Sequence, residues 1–78
     1  MSIDLKKKSD KVVIKWTNRF SNESGYVRDV NRDEQYFDNT FVFEEAKVYG
    51  NKSVAAKVIK SLVSYGEGEN NTFEVVPV

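Results

Sequence analysis

The chain has seventy-eight residues, twelve basic and twelve acidic side chains, and no cysteine or histidine; it reads as one small domain, residues 1–78, with zero formal charge. No disulfide can staple it, the commonest zinc ligand and the commonest general base are both missing, and no net field draws it to nucleic acid or to a membrane surface. Its 40% apolar and 13% aromatic content suffices for one compact core and is too rich for a disordered chain.

Met1–Asp10 is short, charged and without a sustained period, so a loosely ordered lead-in is expected, with Ile3 and Leu5 able to tack it to an edge. The lysines at 6–8 precede neither an apolar run nor a small-residue cleavage site, which argues against a signal peptide. No apolar run approaches the ~20 residues of a membrane helix. A cytoplasmic protein is expected.

Val12–Phe20 alternates as a strand, with Val12, Ile14, Trp16 and Phe20 on one face and Val13, Lys15, Thr17 and Arg19 on the other. Ser21-Asn22-Glu23-Ser24-Gly25 has the composition of a hairpin loop that closes on a left-handed glycine. Tyr26–Asn31 returns as a second strand, Asn31–Gln35 is a polar break, and a third strand lies within the aromatic-rich Gln35–Phe43. Phe37, Phe41 and Phe43 share one parity there and Tyr36 and Val42 the other, which leaves the register open. Glu44-Glu45-Ala46 reads as a helical turn or as more strand, and Lys47-Val48-Tyr49 as extended chain.

Asn51–Gly66 is the one segment with a helical signature. Val54, Ala55, Val58, Ile59 and Leu62 form an apolar stripe opposite Lys57, Lys60, Ser61 and Ser64. Asn51 or Ser53 suits the N-cap, and Gly66 the left-handed position after the last turn. A flexible acidic loop (66–71) leads to a last strand, Thr72–Val78, in which Pro77 marks an edge or terminus. The expected fold is α+β: an antiparallel sheet of three to four strands with one helix packed on one face, in the order β-β-β-α-β.

The chemistry-bearing motifs are incomplete. Asp29-Val30-Asn31-Arg32-Asp33 copies the first half of a calcium loop, but Glu34 stands where the sharp turn needs glycine and Thr40 where a bidentate glutamate belongs. Gly50-Asn51-Lys52-Ser53 lacks the contiguous Gly-Lys-Ser and the earlier glycine of a phosphate loop. No Ser–His or Cys–His pair is possible, and adjacent carboxylates on a strand point to opposite faces. Neither enzyme activity nor a cofactor is expected.

Binding is what remains. Residues 1–20 hold six bases against two acids, a balance of +4, and residues 21–50 hold three against seven, a balance of −4. The outer sheet face, with Val13, Lys15, Thr17 and Arg19 and with Arg28 nearby, is the candidate surface for another protein, and unpaired strand edges offer a second route. Single-stranded nucleic acid, stacked on sheet aromatics beside cations, is the alternative. A monomer and a homodimer are both compatible with so small a core.

The opening Val12-Val13-Ile14-Lys15, the run Phe43-Glu44-Glu45-Ala46-Lys47-Val48-Tyr49 with Ala55-Ala56 downstream, and the ending Phe73-Glu74-Val75-Val76-Pro77-Val78 together resemble small uncharacterised proteins encoded by phages and prophages of Gram-positive bacteria. The resemblance implies an intracellular accessory protein made during infection that modulates a host protein; it supplies no catalytic residue.

Overall fold

A computed structural model describes residues 10–78. Its elements run β1 (Val12–Asn18), β2 (Ser24–Asn31), β3 (Tyr36–Thr40), α1 (Lys52–Ser64) and β4 (Asn71–Pro77). The strands form one antiparallel sheet in the order β3-β2-β1-β4. With α1 against one face this is the expected α+β fold in the order β-β-β-α-β. The lead-in expected at residues 1–10 lies, Asp10 apart, outside the described residues. Among the described residues no helix is long and apolar enough to cross a membrane.

α1 starts where Asn51, in extended conformation, accepts a hydrogen bond from the Val54 amide at 3.0 Å and satisfies one orphan donor of the first turn. It stops at Tyr65, and Gly66 follows in the left-handed region with φ 95°. Ala55, Val58 and Leu62 are buried and Ile59 packs beside them. Val54, assigned to the same stripe from sequence, is instead 43% exposed. At 100° per residue it stands about 80° round the helix from Leu62, at the rim of the buried arc.

β1 is the central strand. Its pairing with β4 is continuous from Val12↔Pro77 to Asn18↔Asn71. Its pairing with β2 covers only Lys15↔Tyr26, Trp16↔Gly25 and Thr17↔Ser24. Beyond that point the strands part, and the extended segment 46–49 enters the gap. Tyr49 exchanges both backbone hydrogen bonds with Val12 (3.1 and 2.8 Å), and the Lys47 amide donates to the Val27 carbonyl at 3.0 Å. A 3₁₀ turn at Phe43–Glu45 delivers the chain to this place. The open question at 44–49 thus resolves as one helical turn followed by extended backbone.

Val12, Ile14, Trp16, Val27, Tyr49, Ala55, Val58 and Leu62 form the core, with Val30, Phe37, Phe73 and Val75 around them. The Trp16 indole crosses Gly25 and donates from Nε1 to the Tyr26 carbonyl at 3.2 Å. A Cβ on Gly25 would come within 2.8 Å of that ring and 2.6 Å of the Thr40 carbonyl oxygen. Gly25 is therefore a close-approach residue inside β2. The left-handed residue of the hairpin is Asn22, φ 66°, where the sequence pointed to Gly25. Phe20 also departs from expectation: β1 ends at Asn18, whose side chain accepts from the amides of Phe20 and Ser21 at 2.9 Å, and Phe20 stands in the turn 78% exposed.

Candidate functional site

The five residues read as a binding face do not form one surface. Val13, opposite in parity to Ile14, is only 1% exposed and presents nothing to a partner. Lys15 and Thr17 are half-buried on the outer face, where Lys15 stands opposite Tyr26 on one side and Glu74 on the other. Arg28 is exposed at the irregularity between Val27 and Asp29, where one extra residue interrupts the β2–β3 ladder. Arg19 lies past the end of β1, and its Nε donates to the Gly68 carbonyl at 2.9 Å, beside β4.

Exposed apolar side chains instead collect where β3 ends. Phe41, Val42 and Phe43 are 64%, 47% and 37% exposed. Phe41 meets Trp16 edge-on on the helix side (centroids 5.7 Å), and Phe43 meets Tyr26 edge-on on the outer side (5.2 Å). The backbone between them is tethered: the buried Thr40 hydroxyl donates to Glu45 Oε1 at 2.8 Å and accepts from the Val42 amide at 3.0 Å. Two aromatic rings are thus held in place with much of their surface in water. β3 is an outer strand of the sheet, so this tract continues an edge that is unpaired among the described residues.

The opposite edge is β4. Between it and the C-terminal half of α1 runs a groove of about 530 Å³ whose apolar wall is Ile59, Val63 and Phe73. Gly66, Gly68 and Glu69 line one end of it together with Arg19.

No family model matches this chain, and neither does any curated protein or solved structure.

The half-copy of a calcium loop has a structural use. Asp29 Oδ1 accepts from the Val30 amide and Asn31 Oδ1 from the Glu34 amide, both at 2.9 Å, which shapes the turn into β3. Among the described residues no three carboxylates converge on a place for a metal ion. Asn51, from the would-be phosphate loop, is the helix cap. Tyr49 is buried with its hydroxyl unpartnered among the described residues. Burial raises its pKa above the ordinary 10.0, the charge of Asp29 raises it further, and Arg32 works the other way.

Sequence reasoning passed over Phe41–Phe43 as a surface because their alternation fits a strand. The signal that separates them is local: Thr40-Phe41-Val42-Phe43 is followed at once by Glu44-Glu45, which belong to a helical turn that begins at Phe43 after the strand has ended at Thr40.

Proposed function

We propose that this protein is a small non-catalytic module that binds another protein through Phe41, Val42 and Phe43 at the end of the β3 edge. The observation that carries the reading is the combination of exposure with tethering in that tract. Aromatic anchors with few rotatable bonds lose little entropy when a partner covers them, and they dominate interface energies for that reason. The backbone groups of the adjoining β3 edge can add strand-type hydrogen bonds. A cytoplasmic accessory protein that modulates a host protein, as the resemblance to phage-encoded proteins implies, would work through such a surface.

The test is a pull-down from a bacterial lysate with wild type, with Phe41→Ser/Phe43→Ser and with Lys15→Glu/Arg28→Glu, after circular dichroism shows that all three fold. A partner kept by wild type and the charge variant but lost by the aromatic variant supports the tract. Identical partner sets for all three remove it. Salt-sensitive binding of labelled single strands, lost in the Lys15/Arg28 variant, would move the reading to nucleic acid.

A further inference from the structure

The groove beside β4 has a chemistry of its own, independent of the Phe41–Phe43 tract on the opposite edge. We propose that it binds the C-terminal end of an extended apolar peptide, which adds antiparallel to β4 and places its terminal carboxylate on Arg19.

The backbone of β4 supplies the first part of the argument. The Val78 amide donates to the Lys11 carbonyl at 3.1 Å and the Arg19 amide to the Asn70 carbonyl at 2.8 Å, one at each end of the β1–β4 ladder. In an antiparallel pair, hydrogen-bonded and non-hydrogen-bonded positions alternate. With the observed register, Thr72, Glu74 and Val76 turn their backbone groups to β1, and Asn71, Phe73 and Val75 turn theirs to the outer edge, which no strand among the described residues covers. Pro77 falls in the outward set, where a missing N–H breaks no bond to β1. The outward amides and carbonyls of Asn71, Phe73 and Val75 match the repeat of an added strand.

The groove supplies the second part. Ile59 and Val63 from α1 and Phe73 from β4 give it an apolar wall beside that edge. Every second side chain of an added strand would turn towards this wall. Val63, 53% exposed, is open to be covered.

The closed end decides the polarity. The 3₁₀ turn Glu67–Glu69 packs against both α1 and β4, so the groove is blind at the start of β4. Arg19 stands there, fixed through Nε, with its two terminal nitrogens unpaired among the described residues. A planar guanidinium with both outer nitrogens open fits a carboxylate with two parallel hydrogen bonds. A blind end suits a chain terminus better than a side chain on a continuing peptide. Because that end is the start of β4, the peptide must run against the strand. Glu69 lines the same end and opposes a carboxylate, so Arg19 has to prevail over it.

The test uses the full chain and a labelled hexapeptide pool with Val, Ile or Leu fixed at the last and third-last positions, as free acids and as C-terminal amides, followed by fluorescence anisotropy. The free acids should bind at least about tenfold more tightly than the amides, and Arg19→Met should bring them down to the amide level. Glu69→Gln should strengthen the acids alone, and the amide resonances of Asn71, Phe73 and Val75 should shift on binding. Equal affinity of acids and amides, or no binding up to about 1 mM peptide, overturns the proposal. So does the same set of resonance shifts on concentrating the protein alone, which gives the groove to a second copy. Binding that appears only after removal of residues 1–9 overturns it too, by giving the groove to the chain's own beginning.

Discussion

Leu62→Ala is the sharpest perturbation of the helix-on-sheet contact. Leu62 is 0% exposed and sits among Ile14, Trp16 and Val58 in the core. Truncating a fully enclosed leucine removes its transfer free energy and leaves a cavity, together about 2–5 kcal/mol. A chain of 78 residues has a total stability of roughly 4–12 kcal/mol. The variant should therefore lose a large share of its margin, and at about 4–8 °C per kcal/mol its Tm should fall by roughly 8–40 °C. Val54→Ala serves as the internal comparison: it belongs to the same sequence stripe but is 43% exposed, so its change should stay within about 0.5 kcal/mol. Urea denaturation followed at 222 nm gives both values from midpoints at a common slope. A Leu62→Ala loss below about 1 kcal/mol, or a Val54→Ala loss equal to it, would refute the packing described here.

Gly25→Ala should destabilise by about 1–3 kcal/mol and shift the Trp16 emission maximum, since the new methyl would lie 2.8 Å from the indole; unchanged stability and emission would contradict the close approach. Tyr49→Phe should be neutral or stabilising by up to about 1 kcal/mol, because it removes a buried hydroxyl that has no partner among the described residues. The folded-state pKa of Tyr49 lies above the ordinary 10.0, so its contribution is complete below that pH and is lost as pH rises through the raised value. Wild type should lose stability above pH 10 relative to Tyr49→Phe, and parallel pH profiles from denaturant titrations would count against it.

The helix was the most legible part of the chain because its signals are local: a cap at Asn51, a 3.6-residue stripe and Gly66. The strands were legible from alternation and turn residues. What escaped depends on partners distant in sequence. The parity of Val13 is plain, yet its burial is set by material beyond β1. The role of Gly25 is visible only once Trp16 lies across it. The place of Tyr49 between β1 and β2 follows from the short β1–β2 ladder, which no local pattern announces. Arg19 was singled out as part of a sheet face; its position at the end of a groove depends on a bond to Gly68, far along the chain.

The central position of β1 also bears on how the molecule comes into being. Its longest ladder is with the last of the four described strands, and Val12 pairs with Pro77 while Tyr49 closes on its other side. A nascent chain emerging from the ribosome can form the β2–β3 hairpin and sample α1 early, but β1 keeps one flank bare until residues 71–77 have been made. Loop closures of that span cost entropy before any contact rewards them. Assembly of the core should therefore be a late and concerted event.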